Sequence, residues 1–457
     1  MLTVVPPSPK DPNEVLRWEH TRLRRRLLYS CHGEDLRKRI ERNAGPVRAA
    51  KWGDPDLTAN AFVALWGQVA ALYNEAPKAH GDEALLEMVE DAGYWPLMQR
   101  VQRDTLGLRE MHMRLDVVEG RLVVRPVFPD LVECGVRERD PRTPVWLCES
   151  VPHGNEWVRL IANVEDPKAP FYLAENTSGQ DISEEVIGSP ALRGDDYPFR
   201  YADGTPFIPY QTYHAAETGR LYDPYTMREV VEGSLNIGMG MTYFWHVTRD
   251  AAFSLRYAFG IDIAGAAADG DTGARELVAD PAVLLQGSFD PDGSGQPLVG
   301  QWAIPVEPAK ILDAVLGYER RILLMAGLAP PDVSRQEADV RSGYSLAVQR
   351  EDIRRQQVVY EPMFRQADLG FLRMAAAMLN RDAGEMKYAE DGYRLEYQGL
   401  PASPLEEKAR RESLYEDLER GMLAPQDVYM ELNPGVSFEE ADAALLRNAE
   451  QRRRFSA

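Results

Sequence analysis

The sequence predicts an α+β protein that is mainly helical, and three observations support this fold class. Several segments carry apolar residues every three or four positions, which is the spacing of one face of a helix. Between Met111 and about Leu221 this pattern gives way to short β-type runs separated by Asp, Gly and Pro. The segment Ser342–Leu379 would be more than about 50 Å long if it were fully helical. Such a length indicates an architectural role rather than a small enzyme.

The composition is that of an ordinary folded protein with a strong acidic balance. The 457 residues include 44% hydrophobic and 27% charged residues, and the formal net charge is −20. This charge argues against tight retention of a phosphate backbone, although it suits a surface past which DNA moves without sticking. The three cysteines, Cys31, Cys134 and Cys148, are too scattered for a disulfide framework and fit a reducing compartment.

Targeting and membrane signals are absent from the sequence pattern. The first ten residues lack a basic stretch followed by an apolar one, so we expect no secretion. No uninterrupted apolar run reaches the roughly 18 residues of a membrane span. The basic runs at 22–26 and 452–454 are most simply interpreted as solvated helix surface or tail.

Residues 10–115 are expected to be helical. Glu14–Leu28 consists of good helix formers, and Leu57–Tyr73 carries an amphipathic stripe that Pro77 should end. Two more helices are expected, over Glu83–Gly93 and Trp95–Arg109.

The region from 111 to 222 should be β-rich with long loops rather than a βαβ repeat. Its clearest strand patterns are Arg121–Val127, Pro144–Cys148 and Glu156–Ile161.

Two helices should then flank a small insert. Asp223-Pro224 predicts an N-cap and a first-turn proline for a helix that reaches about Ala258. Gly233, Gly238 and Gly240 weaken this helix but permit close approach of another one. The insert, 259–305, has apolar runs at Ala282–Leu285 and Trp302–Ile304, and Glu307-Pro308 opens a second helix to about Ala326.

The long segment carries a stripe that predicts packing along its whole length. Its rows are Leu346, Ile353, Tyr360, Ala367, Met374 and, beside them, Phe364, Phe371, Met378. Pro362 removes one backbone hydrogen bond and should kink the helix. Strand-like pieces follow at Met386–Tyr388 and Tyr393–Tyr397, and capping boxes at Ser403 and Ser437 predict helices in the last 55 or so residues.

Short catalytic motifs are missing: we find no phosphate-binding loop, no dinucleotide fingerprint, no HExxH and no GxSxG. The weak metal candidates are Asp290 and Asp292, in a loop that begins like a calcium site. Gln301 stands where a bidentate Glu is needed, so a plain turn is favoured and no cofactor is expected.

Histidines and aromatic residues give no strong site either. The seven histidines are dispersed, and each is interpreted as structural or exposed. The run Tyr243-Phe244-Trp245-His246 could stack on a base, although aromatic residues on a helix more commonly pack in a core.

Taken together, the order of these elements resembles the portal proteins of tailed bacteriophages, including those of prophages and gene-transfer particles. The resemblance is carried by residues 60–77, by Gly327-Leu-Ala-Pro-Pro followed by Ser342-Gly343-Tyr-Ser-Leu-Ala, and by three C-terminal patterns. Those patterns are Gly399-Leu-Pro, Gly421-Met-Leu-Ala-Pro and Pro434-Gly-Val-Ser-Phe-Glu-Glu-Ala. The start at Ser342-Gly343 departs from the usual portal pattern, and 130–220 matches no portal segment that we can place.

The resemblance implies a ring of about a dozen subunits at one capsid vertex. Double-stranded DNA would pass through it without sequence specificity, and the partners would be the large terminase, the head–tail connector and the major capsid protein. The protein would lie in the virion, with host cytoplasm as its place during assembly, and it would have no catalytic residues of its own.

The implied divisions follow the chain. They are a wing at 1–222, stem helix 1 at 223–258, a clip at 259–305, stem helix 2 at 306–327, a tunnel loop at 328–341, the tunnel helix and wing return at 342–400, and a crown at 401–457. The residues expected to face DNA are Ser334, Arg335, Gln336 and Arg341. The alternatives are a cytosolic hydrolase with an acidic, calcium-assisted site, and a capsid or scaffold protein without a channel.

Overall fold

The computed structural model shows a mixture of helices and sheets. It describes residue 9 and residues 12–137, 139–164, 171–193, 196–223, 226–252, 255–259, 284–287, 298–302, 307–328, 343–398, 404–433 and 436–455. Within these ranges, no helix combines the length and apolar character that a membrane crossing requires.

The N-terminal part is mostly helical. Its elements are α1 (Pro12–Leu28), α2 (Gly33–Ala44), α3 (Pro46–Trp52), α4 (Ala61–Val69), β1 (Lys78–His80), α5 (Glu83–Asp91) and α6 (Tyr94–Leu108). The Asn60 side chain accepts a hydrogen bond from the Val63 N–H at the start of α4, and Asp82 caps α5 in the same way.

The expectation that residues 10–115 are helical is wrong at two places. Strand β1 interrupts it, and the next strand already begins at Glu110. Helix α4 also ends at Val69, well before Pro77. Beyond the end of α4, the Leu72 N–H donates to the side-chain oxygen of buried Gln102 at 3.0 Å. This bond to a distant residue takes the place of a backbone hydrogen bond within the helix.

The β-rich region forms two antiparallel sheets. Its elements are β2 (Glu110–Val118), β3 (Arg121–Val127), β4 (Val132–Arg137), β5 (Asp140–His153), β6 (Glu156–Asn163), β7 (Phe171–Glu175), α7 (Ser183–Val186), β8 (Leu192–Arg193) and β9 (Tyr210–His214). One sheet has the order β3-β2-β9 and the other β4-β5-β6-β7-β8. The three strand patterns recognised in the sequence are confirmed as β3 and as parts of β5 and β6.

Two helices flank a third sheet. These elements are α8 (Arg228–Ala252), β10 (Leu255–Phe259), β11 (Leu284–Gly287), β12 (Leu298–Trp302) and α9 (Pro308–Met325). Strand β10 lies between β11, to which it is parallel, and β12, to which it is antiparallel. Of the two apolar runs noted in the insert, Ala282–Leu285 overlaps β11, and Trp302–Ile304 meets only the last residue of β12.

The predicted start of α8 is also wrong. The helix begins at Arg228, not after Asp223-Pro224. Asp223 instead accepts a hydrogen bond from the Thr226 N–H at 3.2 Å and a second from the Thr226 hydroxyl. This local side-chain turn gives the backbone an alternative to the first helical turn.

The long helix is confirmed as α10 (Gly343–Ala383). After it come β13 (Arg394–Glu396), which pairs antiparallel with β1, and the helices α11 (Pro404–Glu419), α12 (Pro425–Leu432) and α13 (Phe438–Phe455). Met386–Tyr388 is not a strand, because the Lys387 and Tyr388 N–H groups donate to the Asn380 side chain at 2.8 and 2.7 Å. The capping box at Ser437 and Glu440 is confirmed.

The main core lies where α1, α4, α6 and α10 pack on the sheet β3-β2-β9. The predicted stripe of α10 faces this core: Tyr360, Ala367, Met374, Phe364, Phe371 and Met378 are all buried. The stripe therefore packs within its own subunit over this part of the helix.

Candidate channel-forming helices

Helices α8 and α9, called the helix pair below, pack closely because glycines of α8 leave room for side chains of α9. A Cβ atom added to Gly233 would stand 2.5 Å from Ile322 Cδ1, and one added to Gly240 would stand 2.8 Å from Val315 Cγ2. Moving seven residues forward along α8 thus moves the contact seven residues back along α9. The two helices are antiparallel over at least two turns.

Most buried side chains of the helix pair lie towards one end of it. Near the core, Val230 and Leu235 of α8 and Ile322 of α9 are buried. Farther out, Trp245 of α8 is 55% exposed and Leu316 of α9 is 40% exposed. The 25 residues of α8 make a helix of about 37 Å. The pair therefore extends beyond the main core, although residues before α4 still contact α8 as far as His246.

The strands β10, β11 and β12, called the tip sheet below, lie at the outer end of the helix pair. Strand β10 begins three residues after α8 ends, and α9 begins six residues after β12 ends. The chain thus leaves the core along α8, forms the tip sheet and returns along α9.

Helix α2 braces α8 on a second side. Arg39 Nη1 donates to Glu232 Oε2 at 2.7 Å, and Arg39 Nε donates to Asn236 Oδ1 at 3.0 Å. A Cβ atom on Gly238 would stand 3.0 Å from Leu36 Cδ2. Two of the three glycines of α8 therefore allow close packing against α9, and the third allows close packing against α2.

The aromatic run of α8 is used for packing. The Trp52 ring stacks on His246 with centroids 5.0 Å apart and meets Tyr243 edge-on at 4.8 Å. The indole N–H of Trp245 donates to Asp56 Oδ2 at 2.7 Å. The interpretation of Tyr243 and His246 as packing residues is confirmed.

A buried charged cluster holds the chain just before α8. Arg109 Nε donates to the Thr226 hydroxyl at 3.0 Å, and Arg24 donates to the carbonyl oxygens of Gly107, at 3.2 Å, and of Thr226. Both arginines are buried. The base of the helix pair is therefore fixed by charge-assisted hydrogen bonds from α1 and from the turn before β2.

Glu110 lies in this cluster and is almost completely buried. Within the described part of the chain, neither of its carboxylate oxygens accepts a hydrogen bond of good geometry. Burial raises the pKa of Glu110 to about 7, against the opposing effect of Arg17, Arg24 and Arg109 and of the nearby Asp223 backbone N–H.

Helix α10 is fixed to the core by one buried carboxylate, Asp368. Four tyrosine hydroxyls donate to it, from Tyr73 at 2.7 Å, Tyr94 at 2.6 Å, Tyr213 at 2.9 Å and Tyr397 at 2.5 Å. Burial raises the pKa of Asp368, and the hydrogen bonds from the phenols lower it. We call these five residues the Asp368 cluster.

The Asp368 cluster joins parts of the chain that are far apart in sequence. Tyr94 belongs to α6 and Tyr213 to β9, while Tyr73 follows α4 and Tyr397 follows β13. The sequence analysis missed it, although one signal was available: a lone acidic residue between Ala367 and Phe371 on a stripe that must be buried. The four tyrosines carry no pattern of their own.

Most residues expected to act on DNA or metal lie outside the described residues. These are Ser334, Arg335, Gln336 and Arg341 of the predicted tunnel loop and the weak metal candidates Asp290 and Asp292. In the ranges that the structure does describe, no group of three or more His, Cys, Asp or Glu side chains is placed to hold a metal ion. Pro362 lies inside α10, and its kink stays a prediction.

Comparisons with known proteins gave similarity at the level of solved structures alone. No protein-family model matches the chain, and no curated protein matches it. The chain is similar to one from the "Neck of native GTA particle computed with C12 symmetry", with 11% identity, 87% of this chain and 93% of that chain covered, and a TM-score of 0.40.

Two further structures are similar to the same degree. A chain of the "Virion of native gene transfer agent (GTA) particle" has 13% identity and a TM-score of 0.41, over 82% of this chain and 89% of that one. A chain of the "Neck of empty GTA particle computed with C6 symmetry" has 13% identity and a TM-score of 0.39, over 86% and 92%. Similarities with TM-scores near 0.4 do not establish a shared fold or function.

Proposed function

We propose that this chain is the subunit of a phage-type portal, a ring-shaped channel at one capsid vertex through which double-stranded DNA is packaged and ejected. One observation carries this proposal. The helix pair extends from a large mixed core and ends in the tip sheet, while the long helix α10 buries one face, from Tyr360 to Met378, in the same core. This is the geometry of a stalk with a small docking surface at its end.

Each part of this architecture has a task in a channel. The core of residues 1–222, with the return at β13, forms the outer ring that contacts the major capsid protein. The tip sheet begins at Leu255, so it extends the clip of 259–305 into the range predicted as the end of stem helix 1. It offers the surface for the large terminase and later for the head–tail connector. The loop at 328–341 and helix α10 line or border the tunnel, and the helices after residue 401 form the crown.

Charge supports transport rather than retention of DNA. A net charge of −20 per subunit, repeated around a ring, gives a strongly acidic assembly. Like charges on protein and DNA prevent tight contact with the phosphate backbone, so the duplex can slide. In this proposal the chain hydrolyses nothing, because the ATP-driven step belongs to the terminase.

The mass of the purified full-length chain tests this proposal. We expect mass photometry and negative-stain images to show closed rings of about a dozen subunits. A chain that stays monomeric at all concentrations, and also when its capsid is assembled around it, would overturn the assignment. Open lattices or shells would favour a capsid or scaffold protein without a channel.

A further inference from the structure

The charged cluster around Glu110 lies at the joint between the core and the helix pair. Glu110 is the first residue of β2, the central strand of the sheet β3-β2-β9. The guanidinium groups of Arg24 and Arg109 act electrostatically on its carboxyl group. The same two arginines donate to the carbonyl oxygen and the hydroxyl group of Thr226, two residues before α8 begins. Glu110 and the start of α8 thus share two cations.

Backbone strain is present at the same joint. Arg109, just before β2, has a φ of 80°, and Met227, just before α8, has a φ of 56°. This left-handed conformation is uncommon for residues other than glycine, and it persists where surrounding contacts hold it in place. Arg109 Nε donates to the Thr226 hydroxyl at 3.0 Å and thereby ties one strained segment to the other. Loss of this bond would let the joint relax.

Glu110 can compete for the two arginines. Its carboxylate oxygens accept no hydrogen bond of good geometry from any residue that the structure describes. When protonated, the carboxyl group is neutral and leaves the arginines on Thr226. When ionised, it is a stronger acceptor than either oxygen of Thr226, because a bond between a guanidinium group and a carboxylate joins two opposite charges. Ionisation therefore favours a turn of the arginine side chains towards Glu110.

The other carboxylates of the cluster differ from Glu110 in burial and in bonding. Glu14 accepts two hydrogen bonds, at 2.6 and 3.0 Å, from a guanidinium group of its own helix. Asp223 accepts bonds from the N–H and the hydroxyl group of Thr226. Glu229, in the first turn of α8, is exposed. Glu110 is therefore the carboxylate whose charge state most affects the arginines.

Histidines and tyrosines complete the surroundings of Glu110. His214 stands opposite it in the register of β2 and β9, and His112 lies two residues farther along β2. Burial lowers the pKa of both histidines and raises that of Tyr222 and Tyr360. These four side chains therefore stay mainly neutral near pH 7. Burial raises the pKa of Glu110 to about 7, so its own charge changes there.

We propose that Glu110 is a pH-sensitive switch on the joint between the core and the helix pair. When its carboxyl group ionises, Arg24 and Arg109 turn from Thr226 to Glu110, and the first turn of α8 is released. The bonds from α2 to Glu232 and Asn236 lie beyond this turn and keep the rest of α8 in place. This inference goes beyond the proposed function, because it concerns the single subunit and holds whether or not copies form a ring.

Hydrogen–deuterium exchange of the full-length chain at pH 6 and pH 8 tests the switch. With a pKa near 7, roughly a tenth of Glu110 is ionised at the lower pH and roughly nine tenths at the higher one. Each exchange rate at 228–233 is divided by the rate in Glu110→Gln at the same pH, which removes the intrinsic effect of pH on exchange. We expect this ratio to rise about tenfold from pH 6 to pH 8.

Helix α12 is the control segment, because it packs against α11 and α13 and not on the cluster. Its ratio should stay within about twofold. A ratio at 228–233 that is as constant as that of α12 would overturn the switch. Equal rises in both segments would also overturn it, because they would show a general loss of stability instead of a local release.

The variant Thr226→Val tests the bond through which the switch acts. Thr226 is exposed, so the substitution leaves the core intact while it removes the acceptor of Arg109. Exchange at 228–233 should then be several-fold faster than in the unchanged chain at pH 6, where Glu110 is mainly protonated, with α12 unaffected. Unchanged exchange at 228–233 in this variant would show that the bond does not hold the start of α8, and the switch would be wrong.

Discussion

Asp368 illustrates how a single residue organises this protein. A buried carboxylate is costly unless it is hydrogen-bonded, and here four phenol groups donate to it. The same phenols are themselves buried or half-buried and need an acceptor. Each group thus satisfies the other, and the Asp368 cluster fixes the position of α10 against two other elements and two loops.

Removal of this acceptor should destabilise the fold strongly. Asp368→Ala leaves four phenol groups without their shared partner, and each unsatisfied buried group costs about 1–3 kcal/mol. We expect a loss of at least about 3 kcal/mol in the free energy of unfolding in urea. Asp382→Ala, at an exposed position of the same helix, is the control and should change it by less than about 0.5 kcal/mol. Equal effects of the two substitutions would show that the Asp368 cluster is not an anchor.

Because Glu110 is buried, we predict that the stability of the fold depends on pH. Burial raises its pKa from 4.5 to about 7, so the folded state binds its proton more tightly than the unfolded state. The protonated Glu110 therefore contributes to the free energy of unfolding. This contribution is fully present below about pH 4.5 and is lost as the pH rises through about 7, and it amounts to up to about 3 kcal/mol.

Comparison with Glu110→Gln isolates this residue from other titrating groups. Between pH 5 and pH 8, the free energy of unfolding of the unchanged chain should fall relative to that of the variant. The measurement belongs at protein concentrations below ring formation, because assembly stabilises the folded state. Parallel pH profiles for the two proteins would rule out the buried ionisation.

At the scale of elements, the glycines of α8 explain why the helix pair can form. A glycine in a helix costs up to about 1 kcal/mol relative to alanine, so its presence needs a reason. At Gly233 the reason is packing, because Ile322 of α9 occupies the space that a side chain at this position would need. Gly317 of α9 has no atom within 4 Å of the place where a Cβ would stand.

These two glycines should respond in opposite directions to the same substitution. Gly233→Ala should lower the thermal unfolding temperature, because the new methyl group would overlap Ile322 in a buried contact. Gly317→Ala should raise this temperature, because the better helix propensity of alanine adds up to about 1 kcal/mol to the free energy of unfolding. A stabilising effect of Gly233→Ala would contradict the close packing of α8 on α9.

Much of this element structure could be predicted from the sequence, and the misses have physical causes. The stripe of α10 predicted both its helix and its buried face, since a seven-residue repeat over several turns has one structural solution. The start of α8 was missed because Asp223 makes a side-chain turn with Thr226 that looks like a helix cap in sequence. The Asp368 cluster and the charged cluster around Glu110 depend on contacts between distant residues, which no local pattern encodes.

At the scale of the whole molecule, the chain combines a large packed core with the helix pair that leads to the tip sheet. The charged cluster around Glu110 fixes the base of the helix pair, and the Asp368 cluster fixes α10. Both clusters are far from the tip sheet along the chain. In the proposed portal, forces applied at the tip sheet would therefore reach the core through the helix pair, whose two helices are held together by the contacts of Gly233 and Gly240.

An electron cryomicroscopy reconstruction of the assembled protein tests the central claim most directly. The account predicts a closed ring with a lumen wide enough for duplex DNA, with the helix pairs side by side around it and the tip sheets at one end. A solid or open assembly without a continuous lumen would contradict the channel.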